Sequence, residues 1–304
     1  MGMLWGVLVA LAYAAMNLCL RAAALQVDPL VATLVRGIPM LLFAWGTLAA
    51  QCQAGQIARI GWRVVVPLIG VAVLLSVMGN GGFQSGLTYA GLTTTVPVTN
   101  GALLWGSAVA GWWLMREPVT SRSIVGLLLL AAAVPLLVSG GGGGIGPVWV
   151  GALAATVAGV SYGFGNALLR QTVKINQLAQ PPAVAVVSTA GTAATLIIVL
   201  ARQGTGALAA LNNSDLAWLL VAGVFNAVAF VALAGALALL PTARVGALGT
   251  LQTAISAIGG VVIFSEPLTG SIVLGLAVSV IGAILSQRAP AERATVAKTP
   301  GTRA

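Results

Sequence analysis

Tyr13-Ala14-Ala15-Met16-Asn17-Leu18-Cys19-Leu20-Arg21 returns later in the chain as Tyr162-Gly163-Phe164-Gly165-Asn166-Ala167-Leu168-Leu169-Arg170. Each stretch spaces a tyrosine, an asparagine and an arginine four residues apart, which on a helix makes one slowly rotating stripe. The step between the copies, from 13 to 162, is 149 residues, and it also carries Glu117-Pro118-Val119-Thr120 onto Glu266-Pro267-Leu268-Thr269. Gly86 falls on Gly235, Ser107 on Ser256, Gly111 on Gly260 and Gly126 on Gly275. Glycine matches alone would mean little among 39 glycines. One ungapped offset that pairs a rare Tyr, an Asn, an Arg and both Glu-Pro steps marks an internal repeat.

The medium follows from composition. Of 304 residues, 59% are hydrophobic and only 6% charged, against roughly a quarter charged in soluble domains. So little charge cannot clothe a water-facing surface, so the apolar excess faces lipid. Ten apolar segments are long enough to cross a bilayer as helices, at 3–22, 29–50, 63–83, 90–114, 121–138, 147–169, 183–201, 215–238, 243–264 and 269–286. The third and fourth join tightly around Tyr89 to Thr94, the eighth and ninth around Pro241-Thr242. Residues 2–138 form one five-helix repeat and 147–286 the other, and 287–304 read as a polar, flexible cytoplasmic tail. The first apolar stretch lacks a basic lead and recurs later, so it reads as part of the fold rather than a cleavable leader.

Basic residues set the expected orientation. With the N-terminus in the cytoplasm, the inner segments hold Arg59, Arg63, Arg116, Arg122, Arg170, Lys174, Arg244, Arg288, Arg293, Lys298 and Arg303. The outer ones hold Arg21 and Arg202. That bias places both termini in the cytoplasm of a multi-pass protein of the cell membrane. Five helices is an odd number, so the second repeat runs upside down relative to the first. The expected fold is therefore all-α: ten transmembrane helices in two inverted-topology repeats. Inverted repeats are an architecture of secondary transporters, with the solute near the midplane between the halves.

Two repeats that each close on Glu-Pro-x-Thr and a Gly-containing apolar helix (Glu117 to Gly126, Glu266 to Gly275) resemble the EamA-type members of the drug/metabolite transporter superfamily. Leu34-Val35-Arg36-Gly37 is similar to that family's arginine near the start of its second helix, while the second half has Ala185 there. The resemblance covers about residues 2–286. It implies a ten-helix exporter or exchanger of the cytoplasmic membrane with a central cavity lined by both halves. Family members are associated with amino acids, other metabolites, nucleotide-sugars and toxic compounds.

Candidate cavity residues are intramembrane polar and aromatic groups. Tyr13 and Asn17 on the first helix and Tyr162 and Asn166 on the sixth face protein or water, because unpaired amides in hydrocarbon are costly. They read as cavity wall, or as hydrogen bonds that tie neighbouring helices. Asn80 and Gln84 on the third helix, Asn100 and Trp105 on the fourth, Asn226 on the eighth, and Gln252 and Ser256 on the ninth carry the same two readings. Amides, hydroxyls and aromatics suit a neutral or zwitterionic small solute. Arg36 lies about 10 Å into the second helix. It either binds a substrate carboxylate or phosphate or snorkels to the outer headgroups as a feature of the fold.

Glu117 and Glu266 sit where acids and prolines favour a helix start, so each reads as a cap. The inverted arrangement adds a second reading. Arg170 with Glu117 at the inner face, and Arg21 with Glu266 at the outer, would join opposite halves as gate latches.

Several classes are excluded. No histidine is present, so the commonest base and metal ligand is missing. Paired carboxylates and metal spacings are absent as well, so the chain reads as no enzyme and with no cofactor or metal. The formal charge of +9 sits singly between spans, not as a basic run with aromatics, which argues against nucleic acid. Gly140 to Gly144 lacks a Walker lysine. Cys19 and Cys52 fall near opposite faces, too far apart for a disulfide. Rings of charge that would suit a channel are missing. No acid lies mid-span, which weakens a proton relay and leaves facilitated diffusion or exchange. The expected partners are a small-molecule solute, the lipid bilayer and, as a candidate, a second copy of the chain. The expected function is export or exchange of a small polar or zwitterionic metabolite by alternating access. Efflux of toxic compounds is the alternative, and a scaffold or channel the lesser one.

Overall fold

The structure is a computed structural model that describes residues 1–57, 60–240 and 242–287. Arg59, the side chain of Arg244, Pro241 at the eighth-to-ninth joint and the tail from Arg288 onward, with its basic residues, lie outside the described residues. The described chain is all-helical. In order come α1 (Gly2–Ala23), α2 (Pro29–Ala50), the short α3 (Ala54–Ile57), α4 (Trp62–Ala72), a π-helical segment (Val73–Asn80), α5 (Gly81–Ala90) and α6 (Leu92–Met115). Then follow α7 (Ser121–Ser139), α8 (Val148–Ile175), α9 (Gln180–Gln203), the short α10 (Gly206–Ala209), α11 (Asn213–Leu239), α12 (Thr242–Phe264) and α13 (Gly270–Gln287).

Eight of these stretches are long and apolar enough to cross a membrane, with α4, the π segment and α5 counting as one 29-residue span. Two segments read from the sequence as spans are not among the eight. The 24-residue α6 is long enough but dilutes its apolar character with Thr93, Thr94, Thr95, Thr99 and Asn100. In α12 the apolar stretch is the shorter Leu248–Phe264. Observed helices mostly start or end within a few residues of the expected segments. The largest difference is at 63–83, where the third helix runs on to Ala90, and at 147–169, where α8 runs on to Ile175.

Local chemistry explains the breaks. Asp28 accepts from the Leu30 and Val31 N–H groups at 2.9 and 3.4 Å, ahead of Pro29 at the first turn of α2. Gly91, at φ 77°, lets the chain turn from α5 into α6 with nothing between them. α6 ends on left-handed Arg116 and α12 on left-handed Ser265, both at φ 53°. The next residue's N–H then closes on the Gly111 carbonyl in one case (3.1 Å) and the Gly260 carbonyl in the other (3.0 Å). Thr120 caps α7 through the Ser123 N–H, and Thr269 stands in the same place before α13, accepting from Ile272. Glu117 and Glu266 are therefore not the caps of the helices they precede, correcting the reading that made them so.

Packing uses small residues, as membrane helices without a hydrophobic drive between them must. α6 lies along α8, where Gly159 and Gly163 meet the α6 backbone and Gly106 meets the backbone of Val160. α1 lies along α11 and α12, α2 touches both α9 and α11, and the third span touches both α8 and α9. α7 pairs with α13, with Gly126 against Gly282.

The cores differ at the two ends of the bundle. Near Arg21, one continuous cluster draws Met16, Leu20, Val31, Leu87, Leu92 and Val199 from five helices, α1, α2, α5, α6 and α9. Near Arg170 the packing divides. Leu68, Val71, Ala72, Ala183 and Val187 form one cluster, and Val9, Ala232, Ala236 and Val245 another.

Candidate functional site

At the end of the bundle with the single core, Arg21 is buried and its Nε donates to Glu266 Oε1 at 2.9 Å. Its other nitrogens donate to the carbonyls of Leu87, at 2.9 Å, and Gly143. The guanidinium also lies 5.9 Å from the Phe264 ring centroid. Glu266 in turn accepts the Leu92 and Thr93 N–H groups at 2.8 and 2.9 Å. This acid thus caps α6, an element 174 residues away in sequence, and anchors an arginine from a third element. Charge-assisted bonds of this kind in a dry site are the strong ones. Glycines make room, since a Cβ at Gly91, Gly143 or Gly260 would run into the Glu266 carboxylate. The Gly140 to Gly144 run is part of this seal. The run lacks the lysine of a nucleotide loop, and only the fold brings it against α1.

The counterpart at the other end is looser. Arg170 Nη1 stands 3.2 Å from Glu117 Oε1, with the two side chains 63% and 50% exposed. Gln171 donates to the Leu114 carbonyl beside it. One helical turn before Arg21, the amide of Asn17 is fully buried and donates to Ser256 Oγ at 3.1 Å, while its Oδ1 takes no donor. The residues one repeat step away, Asn166 and Ser107, make no such bond, and Asn166 is exposed.

Between the two ends lies a third group. Arg36, 5% exposed, donates to Asn80 Oδ1. The Tyr162 hydroxyl donates to the same oxygen at 2.6 Å. Tyr13 lies within electrostatic reach of Tyr162 and Arg36. Asn80 is the last residue of the π-helical segment, and such irregular turns are frequent at functional sites. Gly79 lets the Tyr162 ring lie against that segment, since a Cβ there would strike it. The arginine therefore turns to a neighbouring span rather than to the headgroups.

The remaining candidates separate. Asn100 donates to Thr253 Oγ1 at 2.9 Å, tying α6 to α12. Gln252, half-buried, is the neighbour of that threonine, which sequence reasoning passed over because its repeat equivalent, Leu104, is apolar. Gln84 donates to the Leu20 carbonyl at 3.3 Å and so ties α5 to α1. Trp105 is turned the other way, donating to the Leu127 carbonyl at 2.9 Å among the residues that join α6, α7 and α13. Half-buried Asn226 lies one turn along α11 from Gly223, whose Cα faces the Arg36 carbonyl and Pro39. Cys19 is buried and Cys52 exposed, and both are free.

Residues 149–287 match the model of the EamA-like transporter family. No curated protein matches the chain. Among solved structures 24 chains match. One, titled only as the crystal structure of a protein, superposes with a TM-score of 0.62 over 94% of this chain and 96% of its own. At 19% identity it speaks to the fold alone.

Proposed function

We propose, from the match of residues 149–287 to the EamA-like transporter family model, that the chain is a multi-pass membrane transporter of the drug/metabolite transporter superfamily that exports or exchanges a small polar or zwitterionic metabolite, of amino-acid type, by alternating access. The halves are read as ten spans in two inverted repeats, with both termini in the cytoplasm and the Arg21 end facing outward. Supporting the repeat is the recurrence, one step apart, of the Arg116 and Ser265 turns and of the Thr120 and Thr269 caps. The helix neighbours also exchange in pairs: α6 with α8 against α12 with α1, and the third span with α9 against α11 with α2.

The observation that carries the mechanism is the inequality of equivalent contacts. Asn17–Ser256 and Arg21–Glu266 are closed and buried, whereas Asn166 is exposed and Arg170–Glu117 is half in solvent. A single core at the first end and a divided one at the second fit a state sealed outside and open to the cytoplasm. In the opposite state the inequality reverses. Proton coupling is not required, since no acid lies mid-span.

Counterflow into proteoliposomes tests the reading. Saturable exchange of at least one labelled solute from a panel of amino acids, nucleotide-sugars, polyamines and cationic drugs is expected. If none exchanges and none raises the melting temperature, the proposal fails. The latches are tested by charge reversal. Arg170→Glu combined with Glu117→Arg is expected to transport better than either single variant, and equal loss in all three removes the latch.

A further inference from the structure

We infer that Arg36 is the dock for an anionic group on the transported solute, a carboxylate in the first instance, so that the site takes acids and zwitterions and turns away cations. This rests on the transporter reading above and names the chemistry of its ligand.

The inference comes from a charge count. Four acids lie among the described residues, and each is occupied elsewhere or sits at a span end. Glu266 holds Arg21 and Glu117 holds Arg170. Asp28 caps α2, about 12 Å of helix rise before Arg36. Asp215 is in the first turn of α11. Arg36 is therefore a buried cation whose hydrogen-bonding neighbours, Asn80 and Tyr162, are both neutral. An uncompensated charge at this depth is costly, and such residues pair or mark a solute pathway. A guanidinium offers five N–H donors in a planar fork that matches a carboxylate in two parallel bonds. The Asn80 oxygen engages one nitrogen of that fork, which leaves capacity for an anion.

The surroundings fit a ligand rather than a structural pair. Tyr162 and Asn80 are only half-buried, and Met78, in the same π-helical segment, is 43% exposed. One turn along α8 from Tyr162, Asn166 is exposed, so polar groups continue along this helix beyond the site. The hydroxyls and amides around Arg36 carry no negative charge that would hold an ammonium strongly, so an organic cation meets the guanidinium's repulsion with no carboxylate to offset it.

The test uses the full-length wild-type chain, by thermal melting in detergent and counterflow in proteoliposomes. The probes are L-phenylalanine and L-leucine, each beside its amide, which lacks the carboxylate, and its des-amino acid, which keeps it. Phosphoserine and inorganic phosphate make the phosphate arm, and tetraphenylphosphonium the cationic one. At least one acid or zwitterion is expected to raise the melting temperature and exchange, and its amide to do neither. Arg36→Gln should weaken half-saturation roughly ten- to hundredfold, the loss of one charge-assisted pair. Arg36→Lys, with charge but no fork, should fall between. If Arg36→Gln does not fold, the comparison of acid with amide on wild type decides. Stabilisation by phosphate compounds alone moves the dock to phosphorylated solutes. Amides or tetraphenylphosphonium acting as well as acids overturns the inference while leaving transport intact, as does a panel in which no anion shifts melting. Acids that bind through Arg36 but are not moved keep the dock and remove the transporter reading.

Discussion

Glu266 and Glu117 occupy matching places in the two halves yet live in different dielectrics. Removing one partner of a buried ion pair leaves a bare charge and costs about 3–5 kcal/mol, so Glu266→Ala should destabilise the protein strongly in chemical or thermal unfolding. Glu117→Ala, whose pair is exposed, should stay within about 1 kcal/mol of wild type. An equal effect of the two substitutions would show that the Arg21 end is not the dry one. The glutamates, arginines, tyrosines and asparagines were all legible as candidates because they are rare in so apolar a chain. Their partners were not. A carboxylate before a helix reads as that helix's own cap, and only folding reveals that Glu266 caps α6 instead. Thr253 and Gly143 carried no signal, one for lacking a polar repeat mate and the other for serving through its carbonyl.

Along the elements, hydrophobic length located nearly every long helix, and the tight joint read around Tyr89 to Thr94 is where Gly91 turns α5 into α6. The π-helical stretch was invisible, because Val73-Leu74-Leu75 is apolar on every side and gives no period to separate one helix type from another. α6 falls outside the eight most apolar spans because it carries Thr93, Thr94, Thr95 and Thr99, which are buried against protein. The contact of α6 with α8 depends on glycine. A Cβ on Gly163 would press on the backbone of Leu103, Gly106 and Ser107. Gly163→Ala should therefore lower stability by about 1–3 kcal/mol through overpacking. Gly70→Ala is the control, since nothing stands within 4 Å of a Cβ there. It should be neutral or gain up to about 1 kcal/mol from helix propensity. Thermal melting of the two variants side by side separates packing from propensity.

At the scale of the molecule, equivalent positions are buried unequally, Asn17 wholly and Asn166 not, so on the alternating-access proposal they should differ in access. In a background carrying Cys19→Ser and Cys52→Ser, Asn166→Cys should react rapidly with a membrane-impermeant maleimide and Asn17→Cys hardly at all, as read by mass spectrometry. Comparable labelling of both would contradict a one-sided opening. The two ends also differ in chemistry, not only in present shape. Glu266 receives N–H groups from Leu92 and Thr93. One repeat step from Leu92 stands Pro241, which has no N–H to give. If the Arg170 end closes in the opposite state by the pattern of the Arg21 end, Glu117 would find one charge-assisted donor fewer than Glu266 has, a deficit of about 1.5–3 kcal/mol. Without solute, the resting population should then favour the form sealed at the Arg21 end roughly ten- to hundredfold. A carrier biased this way reports two apparent affinities for one binding site. Solute offered from the sealed face must first wait for a scarce conformer, and its half-saturation concentration rises by that same factor. The missing hydrogen of a single proline would then make a nearly symmetric carrier behave as a rectifier.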